Sequence, residues 1–280
     1  MTTEGHSDAR APVAESSPAP PPAQRQPIPN SRYNRWLPIF PALIVALVWE
    51  ISANLFFPQF LPRPSRIVAA IPEVMTDPDF WGAAIDTTLA ILEGIAIGLI
   101  LGVPVGLILG RYAPARWFSE RYLHALNAMP VVAIIPLTTL WLGYSNTMRI
   151  FVTALSAFLP IAIQMMDGTR KLPTEYLDVA RSFLARDRQV WTGVAIPASM
   201  PFLISGVQIA TGRAMVTGIT SEMVAAIQGL GFWVIFEVRS FHHDQGFVGV
   251  LFIAALGISL WRTVKWATTR FVPWYRPSID

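Results

Sequence analysis

Six long stretches of this sequence carry at most one charged residue each, and they limit the possible fold more than any other feature. They are residues 37–57, 87–110, 122–148, 150–166, 189–221 and 245–261. At about 1.5 Å per residue of helix, each stretch is long enough for most or all of a hydrocarbon core about 30 Å thick. Charged residues make up 14% of the chain, whereas a soluble domain has about 25%. We therefore predict an all-α membrane protein with six transmembrane helices.

The positively charged residues predict how these spans are oriented. If the N-terminus is cytoplasmic, most of the 21 lysines and arginines fall in cytoplasmic segments, for example Arg111, Arg116 and Arg121 between the second and third spans. Positive residues concentrate on the cytoplasmic side of membrane proteins. We expect a multi-pass protein with both termini in the cytoplasm.

The chain divides into three segments. Residues 1–34 are rich in Pro and Ala, have almost no large apolar side chains, and are expected to form a disordered cytoplasmic tail. Residues 35–270 form the six-helix domain, and residues 271–280 form a short cytoplasmic tail. The chain has 0 cysteines, which excludes a disulfide framework and a thiol nucleophile. No catalytic residue, cofactor site or metal site is expected.

Charged side chains within the spans are candidates for a solute path, because such residues are rare at membrane depth. Arg213 is the best candidate contact for an anionic solute, since its charge is permanent; the alternative is an ion pair with Glu93. Glu222 is a second candidate, although a position near the interface would let it simply reach water. Pro130 and Pro136 interrupt the third span, so they either kink it or line a polar path. The candidate translocation path is therefore Pro130, Pro136, Arg213 and Glu222.

The second span has a glycine at every fourth position, at residues 94, 98, 102, 106 and 110. This spacing places them along one helix face, which favours close packing against a neighbouring helix.

A charged segment between the fourth and fifth spans has the pattern of a short amphipathic helix. Pro173 fits a helix start, and Val179 and Phe183 recur at helical spacing, as do Leu177, Ala180 and Leu184. The apolar face either docks on a partner protein or lies on anionic lipid.

The sequence Asp178-Val179-Ala180-Arg181, followed by Ile196-Pro197, resembles the EAA loop of binding-protein-dependent ABC importer permeases. Residues 98–111, 129–143, 205–210, 221–223 and 229–231 resemble the nitrate, sulfonate, taurine and bicarbonate branch of that family. The resemblance covers roughly residues 60–265, and its motifs are specific in combination.

The resemblance implies that the amphipathic segment is a cytoplasmic coupling helix between the fourth and fifth spans. The residues assigned to ATPase coupling are Glu175, Asp178, Val179, Ala180, Arg181, Leu184, Ile196 and Pro197. Asp178 stands for the acid of the motif, Val179 for its first Ala, and Leu184 for its Gly. Because Leu tolerates positive φ poorly, we expect a shallower or shifted bend after the helix.

The resemblance also implies a bacterial inner-membrane permease with several partners. These are an ABC ATPase that binds ATP and Mg²⁺, a second permease chain (a homodimer is expected), and an extracytoplasmic solute-binding protein. Lys171 and Lys265, the chain's two lysines, lack the glycines of a phosphate-binding loop, so ATP hydrolysis is expected in another polypeptide. The predicted function is import of a small solute, such as an anion or sulfonate. The alternatives are an ion-gradient-driven secondary transporter or channel, and a non-transporting membrane scaffold.

Overall fold

The computed structural model describes residues 39–55, 61–172 and 174–271, and these contain helices and connecting segments with no strand. The chain divides into two parts after Val45, and of the first part only the beginning of one helix is described. The tail predicted at 1–34 lies outside the described residues, as does all of the tail predicted at 271–280 except Phe271.

The described residues form eleven α-helices in chain order. They are α1 Ile39–Leu55, α2 Pro64–Thr76, α3 Pro78–Arg111, α4 Ala113–Ala128, α5 Ile135–Leu142, α6 Asn146–Arg170, α7 Thr174–Ser182, α8 Asp187–Val190, α9 Ile196–Ala225, α10 Leu230–Arg239 and α11 His243–Phe271. A 3₁₀ turn, Val131–Ile134, precedes α5, and a π-helical turn, Trp191–Ala195, joins α8 to α9.

Four stretches of the described chain are long and apolar enough to cross a membrane: Pro78–Arg111, Asn146–Arg170, Asp187–Ala225 and His243–Thr268. A fifth forms only if α4 and Val131–Leu142 are taken together, and this pair is bent by 86°. The predicted multi-span helical class is therefore confirmed. The stretch predicted as the third span, 122–148 with interruptions at Pro130 and Pro136, breaks at Met129 and Pro130, and its last residues belong to α6, which begins at Asn146. Helix α1 is apolar but shorter than the four stretches that could cross a membrane.

The proline-rich connection before the second span is mostly helical from Pro64 onward. Pro64 and Pro78 lie in the first turns of α2 and α3, where a missing N–H costs nothing. The side chain of Asp77 caps α3 by accepting a hydrogen bond from the N–H of Asp79, at 2.9 Å. Helix α3 therefore starts nine residues before the apolar stretch at 87–110.

Helix α6 lies at the centre of the bundle, packed against both α3 and α9. The five glycines at residues 94, 98, 102, 106 and 110 all face α6 and are buried, which confirms the predicted packing face. A Cβ atom at Gly98 would lie 2.7 Å from the Cβ of Ala157, and one at Gly106 would lie 2.5 Å from the Cβ of Met165. The two backbones are therefore closer than any larger residue at these positions would allow.

A second apolar cluster joins α2, the start of α3, α10 and α11. Its centre is Phe80, whose ring meets the rings of Trp233 and Phe252 edge-on at 5.0 and 4.9 Å between centroids. This cluster holds α10 against α3 and so positions the turn that precedes α10.

Candidate functional site

A cavity of about 400 Å³ lies where α9 faces the break between α4 and α5. Its lining includes Asn127, Pro130, Ser156, Arg213 and Thr217. Two of the predicted path residues, Pro130 and Arg213, therefore lie at one cavity. Pro136 and Glu222 do not line it.

Arg213 reaches across this cavity to the end of α4. Its Nη1 donates to the side-chain oxygen of Asn127 at 2.5 Å and to the carbonyl oxygen of the same residue at 3.3 Å. Its Nε and Nη2 donate to no other described residue, and no ion pair joins it to Glu93. The alternative that Arg213 pairs with Glu93 is therefore wrong, and half of the guanidinium keeps its hydrogen-bonding capacity.

Pro130 explains why the chain breaks at the cavity. It follows Met129, at which α4 ends in an extended conformation, and it precedes the 3₁₀ turn. Pro cannot donate to the preceding turn of a helix and disfavours helical backbone in the residue before it. Pro136 acts differently, because it lies in the first turn of α5 and starts that helix without interrupting it.

Glu222 lies in a different place, fully buried at the end of α9. Three donors surround its carboxylate: Arg149 Nη1 at 2.7 Å, Thr87 Oγ1 at 2.8 Å, and the backbone N–H of Gly231 at 2.8 Å. Thr87 in turn accepts from the N–H of Leu230 at 2.7 Å. This network connects α3, α6 and α9 to the beginning of α10.

Arg149, the partner of Glu222, was not among the predicted site residues. It is 4% exposed, and its Nη1 also donates to the carbonyl oxygen of Gln228 at 2.8 Å. The side chain of Asn146 accepts from its Nε and Nη2, at 3.0 and 2.6 Å. In the sequence, Arg149 lies between two charge-free stretches, where a positive residue usually flanks a span. The spacing of charges therefore did not indicate that its side chain is buried.

The segment that resembles the EAA loop forms helix α7 and leaves apolar side chains in solvent. Val179, Phe183 and Leu184 are exposed by 57%, 81% and 90%. Glu175 and Asp178 are exposed, and Ala180 is half-buried. Pro173 and the side chain of Arg181 lie outside what the structure describes.

Leu184 adopts the left-handed conformation, with φ at 53°. The N–H of Ala185 donates to the carbonyl oxygen of Ala180 at 3.0 Å, which is the hydrogen bond of a Schellman cap. The turn therefore falls at Leu184 itself, where the EAA motif has Gly, and the expectation of a shifted bend is wrong. A non-glycine residue in this conformation costs about 1–2 kcal/mol.

Ile196 and Pro197 lie at the join between the π-helical turn and α9, and both are half-buried. The N–H of Ile196 donates to the carbonyl oxygen of Trp191, five residues back. Since Pro197 has no N–H to donate to Gly193, the ordinary ladder is interrupted here and the wider turn takes its place.

The sequence model of the family described as "Binding-protein-dependent transport system inner membrane component" matches residues 94–277. This chain belongs to that family. The matched region contains the Arg213 cavity, the Arg149–Glu222 pair and α7. The chain is thus a permease, a membrane subunit for solute import, and ATP hydrolysis takes place in a separate subunit.

Similar proteins agree with this assignment. The permease is 27% identical to the formylaminopyrimidine transport permease ThiX of Halalkalibacterium halodurans, over 83% of this chain and 93% of that protein. It is 25% identical to the taurine transport system permease TauC of Escherichia coli, over 84% and 87%. Its fold resembles a chain of the MetNI methionine ABC transporter in inward-facing conformations, with a TM-score of 0.55 at 19% identity, covering 71% of this chain and 98% of that one.

Proposed function

We propose that this permease carries a small anionic solute and that Arg213 is the contact for its negative group. The observation that carries the proposal is the half-satisfied guanidinium beside a cavity of about 400 Å³ within the apolar part of the chain. Cavities of about 300–1,000 Å³ are the usual size for small-molecule sites. A permanent cation at membrane depth marks a path for polar solutes, because it is costly there without a partner.

The names of similar permeases support this choice of solute. Taurine, which TauC transports by its name, carries a sulfonate group, and a relative from Bacillus subtilis is described as an aliphatic sulfonates permease, SsuC. A guanidinium binds such an oxyanion through paired N–H groups. Ser156 and Thr217 line the same cavity and offer hydroxyl groups to the rest of the solute.

We propose six spans with both termini in the cytoplasm. Helix α1 supplies the first span, and the bent pair of α4 and α5 supplies the third. The distribution of arginines supports this orientation, since Arg111, Arg116 and Arg170 gather at the end of the bundle that carries α7.

With that orientation, α7 is the cytoplasmic coupling helix that docks on the ATPase. Its support is the apolar surface formed by Val179, Phe183 and Leu184, which contacts little of this chain and which water does not favour. The acids of α7 and the residues at the start of α9, Ile196 and Pro197, complete the proposed coupling loop. ATP and Mg²⁺ bind to that partner, and an external binding protein delivers the solute.

We further propose that two copies of this chain form the transporter. Glu93 lies near the middle of α3, is exposed, and contacts no partner among the described residues. A charge facing lipid at this depth costs about 2.5–3.5 kcal/mol. A second copy, or a water-filled path between two copies, removes that cost.

The Arg213 proposal is tested by uptake in cells that express the complete transporter. Arg213→Gln should lower uptake of a sulfonate probe, taurine or ethanesulfonate, by about 10–100-fold, since it removes a charge-assisted contact. Asn127→Asp keeps the shape of its side chain but sets a carboxylate against Arg213, so it should also lower uptake. Asn127→Leu, which adds no charge, is the matched control and should have the smaller effect. Wild-type uptake by Arg213→Gln would remove Arg213 from the solute path while leaving the family assignment intact.

A further inference from the structure

A smaller cavity, of about 210 Å³, lies at the end of the bundle that carries α7. Three segments of the chain form its walls: the junction of α3 and α4, the end of α6, and the turns that precede α9. Three of its lining residues are arginines, Arg111, Arg116 and Arg170, and none of the lining residues is acidic. This cavity is separate from the Arg213 cavity, with which it shares no lining residue.

The arginines keep most of their hydrogen-bonding capacity. Arg116 Nη1 donates to the carbonyl oxygen of Gly110 at 3.2 Å, which leaves its remaining N–H groups without a described partner. Arg111 approaches Asp187 only to 3.9 Å, and the two side chains are 42% and 92% exposed, so solvent screens this pair.

Arg170 pairs with Glu120 at 3.0 Å, with side chains 49% and 32% exposed. An exposed pair of this kind contributes little to stability, and Glu120 offsets the charge of Arg170, so the cavity's positive charge rests mainly on Arg111 and Arg116. Arginines near helix C-termini often serve only to bind the last carbonyl groups. Here Arg116 does so, whereas the side chains of Arg111 and Arg170 bond no described carbonyl oxygen.

Trp191 supplies a further donor. It is half-buried, lines the cavity, and its indole N–H donates to no described residue. Arginines beside an amphipathic ring are typical of the level at which phospholipid headgroups lie.

We propose that this cavity binds a phosphate group, carried by an anionic phospholipid or present as free phosphate. Basic pockets between transmembrane helices on the cytoplasmic side bind the headgroups of anionic lipids. The volume is below the 300–1,000 Å³ range of drug-sized ligand sites, so it fits a single small anionic group. Arg111, Arg116 and the Trp191 indole bind its oxygens, while acyl chains, when present, lie along the apolar surface outside.

The test uses the full-length permease purified in detergent with the subunits that accompany it. Native mass spectrometry counts dioleoylphosphatidylglycerol or dioleoylphosphatidylcholine retained per permease chain. We expect selective retention of the phosphatidylglycerol, reduced by at least about tenfold in Arg111→Gln/Arg116→Gln. Arg262→Gln, an exposed arginine that does not line the cavity, is the matched control and should retain the lipid.

A second pair of variants leaves every arginine in place. Leu172 lines the cavity, so Leu172→Glu sets a negative charge there, whereas Leu172→Gln adds a similar but neutral side chain. The Glu variant should lose the phosphatidylglycerol and the Gln variant should keep it. This comparison remains valid if loss of the Arg116–Gly110 bond unfolds the double variant.

Two further results identify the source of the phosphate. Retention of phosphatidylglycerol that inorganic phosphate does not displace identifies a lipid site. A free-phosphate site is identified if inorganic phosphate raises the Tm above that in chloride at equal ionic strength. This rise should be lost in Leu172→Glu and kept in Leu172→Gln. Equal retention of the two lipids together with no phosphate effect would overturn the proposal, as would equal binding by Leu172→Glu and Leu172→Gln.

Discussion

At the scale of single residues, the most demanding environment is that of Glu222. A carboxylate with no exposure is tolerated only when donors replace the water it has lost. Arg149, Thr87 and Gly231 do so here, and each comes from a different part of the bundle. Removing one partner of such a buried pair typically costs about 3–5 kcal/mol. The network therefore sets how the start of α10 is held.

Gly229 is essential to this arrangement because there is no room beside it for a side chain. A Cβ atom at Gly229 would overlap the carboxylate of Glu222. We predict that Gly229→Ala forces the carboxylate from its donors and lowers stability by about 3–5 kcal/mol, seen as a fall in Tm of the purified transporter. Gly82→Ala is the matched control: nothing lies within 4 Å of its new Cβ, and Ala favours helix, so Tm should hold or rise. An equal fall in both variants would contradict the prediction.

Sequence alone could select Arg213 and Glu222 because charges are rare in apolar stretches. It could not select their partners. Asn127 is an ordinary polar residue near a helix end, and Arg149 is 73 residues from Glu222. Such contacts depend on how α3, α6, α9 and the α4 terminus pack, and periodicity within one helix carries no information on that packing.

At the scale of secondary-structure elements, the sequence predicts an interruption at Pro130 but not the size of the bend between α4 and α5. The stretch 122–148 has no charge, yet it is longer than the roughly 20 residues that one helix needs to cross a membrane. The residues beyond that number form the turn at Met129 and Pro130 and the loop through Gly143, whose φ is 70°. The charge-free pattern predicts where apolar chain lies but does not show that the chain bends there by 86°.

Helix α7 can be tested with a control of matched geometry. Leu184 and Phe241 both occupy left-handed caps, with φ of 53° and 64°, and are 90% and 78% exposed. If α7 docks on the ATPase, Leu184→Ser should lower the amount of ATPase that co-purifies by about tenfold or more, because it removes a large apolar contact. Phe241→Ser, at the turn between α10 and α11, should leave it unchanged. Equal co-purification in both variants would argue against docking through α7.

At the scale of the whole molecule, the class of protein and the approximate location of most spans follow from composition and charge spacing. The packing of α3 on α6 also follows, because five glycines at a spacing of four leave one face without side chains. The number of spans does not follow as directly, since α1 is short and the pair of α4 and α5 is bent. The surroundings of residues that are exposed in a single chain, such as Glu93, are set by the assembly.

The assembly can be examined at Glu93 without removing any native thiol, because the chain has 0 cysteines. In the proposed two-copy transporter, Glu93→Cys should either form a disulfide between copies or react with a water-soluble maleimide, since its surroundings are protein or water. Leu251→Cys, at an exposed apolar position on α11, serves as the comparison and should do neither if it faces lipid. A Glu93→Cys variant that neither crosslinks nor reacts would show that this face meets hydrocarbon.

The Arg149–Glu222 pair also has a consequence for the order in which the protein is made. Arg149 leaves the ribosome 73 residues before its partner, which at about 5–20 residues per second is a delay of roughly 4–15 s. During that interval, of the side chains that bind Arg149 in the folded protein, only Asn146 has been synthesised. Until the fifth span arrives, this end of α6 has to stay among water and headgroups. Once α9 is synthesised, the carboxylate of Glu222 pairs with Arg149, and this end of α6 can become buried. Insertion of α9 therefore completes the burial of a helix that is synthesised well before it.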